Sequence, residues 1–234
     1  MNDAKMPPDE FWVCHMGLVP YSDGLAIQGT LRARRQAGEI PDTLLLLEHP
    51  PVYTRGRRSA EAELPFGADF YRAKGIDVID TDRGGRITYH GPGQLVGYPI
   101  MAVIDVVAHL RTIEDAIVTA LGDVGIVAHA RPEDGPDYTG VWVEDRKIAS
   151  LGVHVSRGIG THGFAVNVDN DLSPFSWVVA CGLPDVSMTS LAAETSGECE
   201  SLQCFRERIA HSFCRAHSRR ERLVSHELLE AVPA

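Results

Sequence analysis

Long apolar runs are missing from this 234-residue chain. The longest ones, such as residues 44–47 and 100–104, are far too short to cross a bilayer, so no membrane-spanning helix is predicted. Cysteine is also sparse, and the odd count of five, without CxxC spacing, argues against a disulfide framework. The polar residues 1–10 do not resemble a signal peptide. Together these absences predict a cytoplasmic protein with reduced cysteines.

Positive charge is scarce as well, and only three lysines occur. The net charge of −10 argues against a general nucleic-acid binder, which must neutralise phosphates. One basic island interrupts the acidic background and could dock an acidic partner, although a solvated surface is the alternative interpretation. The island consists of Arg55, Arg57, Arg58, Arg83 and Arg86.

The pattern of the chain favours one folded domain. At 44% hydrophobic residues it can bury a sizeable core, with a flexible N-terminus at 1–10, a domain at 11–218 and a C-terminal tail at 219–234. Periodicity predicts helices at 22–36, 104–124 and 201–217, and strands at 43–48, 76–81, 141–143, 147–155 and 164–168. Because strands and helices alternate but include a hairpin, we predict an α+β (mixed α/β) fold: a mixed β-sheet flanked by helices.

Residues 83–99 form the most informative segment. Five glycines and two prolines in seventeen positions exclude a regular helix and disfavour an uninterrupted strand. Glycine lets a backbone approach a ligand closely, and the polar side chains between the glycines can orient it. We therefore predict a ligand-binding loop, with a structural turn as the alternative. Its polar side chains are Arg83, Thr88, Tyr89, His90 and Gln94.

Cys181 is a candidate nucleophile. It is followed by Gly182 in a predicted loop, where backbone N–H groups can point at a developing oxyanion. The alternative is a small buried hydrophobic residue, which is what most free cysteines are. The other cysteines are interpreted as structural, with spacings that suit packing: Cys14, Cys199, Cys204 and Cys214.

A thiol needs a nearby base at neutral pH, because most of it is protonated there. Lys147 begins an apolar strand, where burial would favour the neutral amine and make it a usable base. A solvated lysine at the end of a hairpin is the alternative, and without other information it is the stronger one. His90 and His162 stand in glycine-flanked loops and are the histidines expected to face a site. The other eight are expected on the surface or in the core.

Other motifs carry no chemistry. Residues 158–163 match GxGxxG, but an alternating strand follows them instead of the helix that phosphate binding requires. His211, Cys214 and His217 are three apart on a helix, too splayed for a confident metal site. The sequence predicts neither a cofactor nor a bound metal.

Several motifs together resemble one family, the lipoyl(octanoyl) transferases of lipoate biosynthesis. They occur in the family's order between about residues 21 and 213, which makes the resemblance specific. The chain departs from the family at Ala180, where proline is usual, and at Arg55, where leucine is common; neither change removes a reactive group. The motifs are LLLLEHPPVYT at 44–54, the segment 83–99, RKIASLG at 146–152, THGFAVN at 161–167 and CGL at 181–183.

The resemblance implies roles for individual residues. Cys181 would be the acyl-thioester nucleophile and Lys147 the lysine that activates it, with His162 and Gly182 as supporting residues. The implied acyl-binding residues are Arg83, Gly84, Gly85, Arg86, Ile87, Thr88, Tyr89, His90, Ser150, Leu151, Gly152, Gly163, Phe164 and Ala165.

The resemblance also implies a reaction and its partners. An octanoyl group would pass from octanoyl-acyl carrier protein to a lysine on lipoyl domains of 2-oxoacid dehydrogenase E2 subunits and the glycine-cleavage H protein. No nucleic acid, membrane or cofactor is implied, and the fold would be that of the biotin/lipoate protein ligase catalytic domain. Three alternatives stay open: an ATP-dependent lipoate or biotin ligase, a non-catalytic protein that binds acyl groups or lipoyl domains, and, more weakly, a cysteine hydrolase.

Overall fold

An eight-stranded mixed sheet forms the centre of the computed structural model. The model describes residues 9–183, 186–195 and 201–230, without the side chains of Cys181 and Glu230. The strands are β1 (Glu10–Leu18), β2 (Thr43–Glu48), β3 (Val52–Arg55), β4 (Asp77–Asp80), β5 (Thr88–His90), β6 (Gln94–Ile100), β7 (His129–Ala130), β8 (Gly140–Val143), β9 (Arg146–Ser156), β10 (Ile159–Asn167) and β11 (Arg220–Leu223). The helices are α1 (Tyr21–Gln36), α2 (Ala68–Ala73), α3 (Val106–Gly122), α4 (Leu191–Glu194), α5 (Leu202–Ala216) and α6 (His226–Glu230).

The strand order of the large sheet is β11-β1-β2-β6-β10-β9-β8-β7. Strand β1 runs parallel to both of its neighbours, whereas the pairs from β2 to β7 are antiparallel. A second sheet, β4-β3-β5, stands beside it. The predicted mixed sheet with flanking helices is confirmed.

Side chains that alternate along β2 divide the core into two layers. Leu44 and Leu46 face a cluster that includes residues of α3 and α5, among them Phe213. Leu45 and Leu47 face the opposite cluster, on the α1 side of the sheet. The continuous apolar run of β2 is therefore a strand buried on both faces.

The predicted helices at 22–36, 104–124 and 201–217 are all present, with ends that differ by one or two residues. The prediction of a loop over residues 83–99 was wrong in its second half, because β5 and β6 occupy most of it. Pairing with β2, β3 and β10 satisfies this backbone despite its glycines and prolines. Tertiary context thus overrides the low strand propensity of these residues.

Two expectations about packing are revised. Cys14 and Cys214 are buried, but Cys204 is exposed on α5, so the expectation that it packs was wrong; Cys199 lies outside the described residues. The predicted boundary at residue 218 does not coincide with an end of packing, because β11 pairs with β1 and Leu229 is buried. Among the described residues, no helix has the length and apolar character needed to cross a membrane.

Replacing Asp105 by alanine tests the start of α3. Its carboxylate accepts the backbone N–H groups of Val107 and Ala108, at 2.8 and 3.1 Å. Losing this cap should lower the free energy of unfolding by about 1 kcal/mol, measured by urea denaturation. Asp115→Ala, at an exposed position on the same helix, is the control and should change stability much less. Equal losses for both variants would contradict the capping role.

Candidate active site

One pocket opens on the α1 side of the sheet, between β5, the strands β6, β9 and β10, and the turn at residues 136–139. The space between its walls, including the open mouth, is about 580 Å³. Its walls include residues from every motif named above except the one that holds Cys181 and the one at 44–54. Segments far apart in sequence therefore meet at one cavity.

Most of the residues predicted to bind the acyl group line this pocket. Their binding role stays a prediction, but the fold brings them together. They are Arg83, Gly85, Arg86, Thr88, His90, Ser150, Leu151, Gly152, Gly163, Phe164 and Ala165, joined by Lys147 and His162.

Three predicted acyl-binding residues do not line the pocket: Gly84, Ile87 and Tyr89. Ile87 and Tyr89 alternate with the lining residues and pack behind the wall against Tyr53 and other aromatic side chains. Gly84 donates its N–H to a carbonyl of β9, 2.9 Å away, and so fastens the wall to the sheet. Successive side chains of a strand point to opposite faces, so a continuous sequence motif includes residues that cannot line the pocket.

The sequence reasoning missed several lining residues. Val96 and Tyr98 carried a partial signal, since they alternate within the segment 83–99. The others come from α1 and from the turn before β8, which nothing in the local sequence connects to the site. The missed residues are Tyr21, Val96, Tyr98, Pro136, Asp137 and Thr139.

Lys147 is buried, with 2% of its surface exposed, so the solvated alternative is wrong. Its backbone is hydrogen-bonded to the chain that follows Cys181. Lys147 N–H donates to Ser187 O at 2.9 Å, and Thr189 N–H donates to Lys147 O at 3.0 Å. The Nζ atom lies 5.1 Å from the centre of the Trp142 ring. The amine therefore lies beside the face of this buried ring.

Gly140 makes room for the lysine side chain. A Cβ atom at this position would lie 2.5 Å from Lys147 Cε and 2.4 Å from Ala149 O. Its φ of +148° also favours glycine. The N–H of Gly140 donates to the buried Glu114 carboxylate at 2.8 Å, which holds this strand in place. The path of the Lys147 side chain is thus set by a glycine and by a carboxylate from α3.

Cys181 lies in the 3-10 turn Ala180–Gly182. Its side chain lies outside the described part of the structure, so the predicted thiol position is not observed. The turn itself adjoins the pocket, because a Cβ at Gly182 would lie 2.2 Å from Cδ of the lining residue Arg86. Gly182 has a φ of +70°, and both constraints require glycine there.

A chain of hydrogen bonds connects the lysine strand to His90. Lys147 O accepts from Thr189 N–H, and Thr189 O accepts from Asn167 Nδ2 at 3.0 Å. Asn167 Oδ1 accepts from Gln94 Nε2 at 2.9 Å, which leaves Gln94 Oε1 to accept from His90 Nδ1 at 2.8 Å. His90 is therefore the Nδ1–H tautomer, with the lone pair on Nε2.

His49 supports the back of the pocket. Its Nδ1 must donate to Val19 O at 2.6 Å, so its Nε2 accepts from the Tyr98 hydroxyl at 2.7 Å. Burial lowers the pKa of His49 to about 4 and holds that of His90 well below its usual range. These histidines are neutral at pH 7, and His49 is a satisfied core residue, as predicted.

His162 lines the pocket from β10 rather than from a loop, as does His90 from β5. Its Nε2 lies 2.8 Å from Asp82 Oδ1, and its backbone N–H donates to Gln28. Burial lowers the pKa of His162, against the opposing effect of Asp82. A neutral ring therefore donates from Nε2 to Asp82. Its Nδ1 is buried and has no hydrogen-bond partner among the described residues.

The predicted basic island is only partly a basic surface. Arg83 is buried, with its guanidinium donating to Thr54, and Arg86 pairs with Glu63 at 2.9 Å. Arg58 lies at the pocket and pairs with an aspartate of the turn at 136–139. The fold divides the predicted island, because it buries Arg83 and pairs Arg58 and Arg86 with carboxylates. No cluster of three metal-ligating side chains occurs within the described ranges.

Comparison with known proteins assigns this site to a class. The model of the lipoyl protein ligase A/B catalytic domain matches residues 20–214. Among solved structures, a lipoate-protein ligase A bound with ATP has a TM-score of 0.73 at 19% identity, covering 94% of this chain and 92% of that one. The chain therefore belongs to the lipoyl protein ligase A/B catalytic domain family, and the expected fold is confirmed.

Within that family the chain is similar to octanoyltransferases. The octanoyltransferase of Acidothermus cellulolyticus is 50% identical over 188 residues, which is 77% of this chain and 80% of that protein. The one from Rubrobacter xylanophilus is 47% identical over 186 residues, 78% of this chain and 82% of that protein. These similarities confirm the family resemblance inferred from the sequence motifs.

Acidification should destabilise the protein between pH 6.5 and 4. A histidine whose pKa falls from 6.5 to about 4 on folding makes its full contribution to the free energy of unfolding above pH 6.5. It loses that contribution toward pH 4, because the unfolded chain takes up the proton first. For His49 the loss is about 3 kcal/mol at pH 4. Urea unfolding at pH 7 and 4.5 measures it.

In that experiment His49→Gln should show a weaker dependence on pH than the unmodified protein. His129→Gln, at an exposed position, is the control and should keep the original dependence. Identical pH dependence for the His49 variant and the unmodified protein would contradict the assignment of a buried neutral His49.

Proposed function

We propose that this protein transfers an octanoyl group from acyl carrier protein to a lysine of a lipoyl domain, through a thioester on Cys181. The buried Lys147 beside the chain that follows Cys181 is the observation that carries the proposal. The similarity to octanoyltransferases indicates that the chain is an acyltransferase and that the group it transfers is octanoyl.

In the first step Lys147 accepts the proton of the Cys181 thiol. The thiolate attacks the carbonyl of the donor thioester, and the carrier's phosphopantetheine thiol leaves with a proton. Exchange of one thioester for another is nearly level in energy, so no nucleotide is needed. Backbone N–H groups of the Ala180–Gly182 turn are the candidates for stabilising the oxyanion.

In the second step the acceptor's lysine amine attacks the carbonyl of the Cys181 thioester. An amide forms, the cysteine sulfur leaves, and Lys147 is the candidate acceptor of the amine's proton. Replacing a thioester by an amide is downhill and makes this step effectively irreversible. The acceptors are the lipoyl domains of 2-oxoacid dehydrogenases and the glycine-cleavage H protein, and the setting is cytoplasmic.

The pocket suits a saturated acyl tail. Its sheet side carries the small residues Gly152, Gly163 and Ala165. At about 0.8 kcal/mol for each buried CH₂, seven carbons of an octanoyl tail contribute roughly 5 kcal/mol of binding energy. Burial of the tail therefore favours binding of the donor's acyl group, and the bound tail keeps water away from the thioester.

An ATP-dependent ligase is the alternative within the family, since the related solved structure holds ATP. A ligase activates its acid with a nucleotide and has no need of Cys181. Octanoyl transfer in the absence of nucleotide favours the transferase. Transfer that requires ATP and survives Cys181→Ser would favour the ligase.

Incubation with octanoyl-acyl carrier protein should label Cys181. Mass spectrometry of the intact protein and its peptides should find one octanoyl group on this residue and none in Cys181→Ser. Lys147→Met, which keeps the unbranched apolar stem but lacks the amine, should slow labelling by a factor of about 10² to 10⁴. Labelling elsewhere, or equal rates with and without the lysine, would contradict the proposed dyad.

The exposed part of the arginine island is proposed to dock the acidic carrier protein. Arg57 and Arg58 are both exposed, and Arg58 lies at the pocket. Reversing both charges to glutamate should slow transfer from the carrier-bound donor at least about tenfold at low salt, and less at high salt. Arg32→Glu with Arg220→Glu is the control of equal charge. Rates that match this control would exclude the docking surface.

A further inference from the structure

We propose that His162, held by Asp82, closes the far end of the acyl pocket and sets the length of the chain it accepts. The inference rests on the proposed function, because it concerns the far end of an acyl chain that is attached to Cys181. It assigns a specificity role to a residue that the chemistry of the transfer does not use.

His162 points into the pocket because of an unusual backbone. Its φ is +57°, in the left-handed region that side chains other than glycine rarely adopt. The ring meets Tyr98 edge to face, with 6.3 Å between centres, and Tyr98 belongs to the α1 side of the sheet, where the pocket lies. Phe164, two residues later, belongs to the core cluster on the opposite side. Strain of this kind, kept in a pocket wall, points to a function.

The position of His162 along the sheet fits the end of an acyl chain. In the register of β9 and β10 it pairs with Val153, six residues beyond Lys147. At about 3.3 Å for each residue, the two positions are separated by roughly 20 Å. A thioester that begins beside Lys147 and an eight-carbon chain fit within this separation.

The wall around His162 is closed on the sides as well. A Cβ at Gly152, which pairs with Gly163, would lie 2.8 Å from Gly84 O and 3.4 Å from Arg83 Cδ. The ring of His162 is 3% exposed and is fastened through Nε2 to Asp82. Since backbone and the buried Arg83 side chain form the other walls, the His162 ring is the group whose removal lengthens the pocket.

His162→Gly tests the inference, because glycine accepts the left-handed backbone. The assay compares labelling of Cys181 by carrier proteins loaded with C6, C8, C10 and C12 chains, mixed in equal amounts. The unmodified protein should prefer C8. The variant should favour C10 over C8 by about fifteenfold more, and C12 over C10 again, since each of the two added methylenes is worth about fourfold.

Two further variants complete the test. His162→Asn, which also tolerates a positive φ, should shift the preference in the same direction but less. Arg157→Gly removes another residue of positive φ, exposed in the turn between β9 and β10, and should leave the preference unchanged. An unchanged chain-length profile in both His162 variants would overturn the inference. Absence of any label on Cys181 in the unmodified protein would contradict the proposed function itself.

Discussion

A buried lysine amine is the constraint on which the site depends. An ammonium group costs free energy when it leaves water, so the structure around Lys147 must offset the cost of burying it. Both sides of the Lys147 backbone are paired, with β8 on one side and with the chain after Cys181 on the other. Gly140 opens the path for its methylenes, and the ring of Trp142 faces the amine. The second partner is the chain that follows the cysteine turn, and this contact supports the proposed pairing of Lys147 with Cys181.

Hydrogen bonds fix several polar side chains at the back of the pocket. Neutral histidines make this possible: His49 and His90 donate from Nδ1 to fixed oxygens, and burial keeps the pKa of each below its usual range. The hydrogen-bond chain through Gln94 and Asn167 runs from His90 back to the strand of Lys147. The proposed chemistry beside Lys147 and the proposed selection of chain length at His162 thus belong to one pocket wall.

Local periodicity predicted the main elements from sequence, because β2 and α3 carry strong patterns that tertiary contacts reinforce. The segment 83–99 was recognised as part of a site, but its strands were missed, since their stability comes from pairing with distant β2 and β10. The burial of Lys147 was also hidden, because it depends on a parallel contact with Met188, some forty residues later. Tyr21 and the turn at 136–139 reach the pocket only through the fold. The sequence thus indicated which residue types could carry the chemistry, and long-range packing determined which of those residues meet at the site.

Alkylation of Cys181 by iodoacetamide at pH 7 tests the central claim most directly. If Lys147 takes the proton of the thiol, Lys147→Met should react at least about tenfold more slowly at this residue, and the difference should vanish near pH 10, where thiols ionise unaided. Peptide mass spectrometry separates Cys181 from the exposed Cys204, which should react equally in both proteins. Equal rates at Cys181 at pH 7 would contradict a lysine poised to activate it.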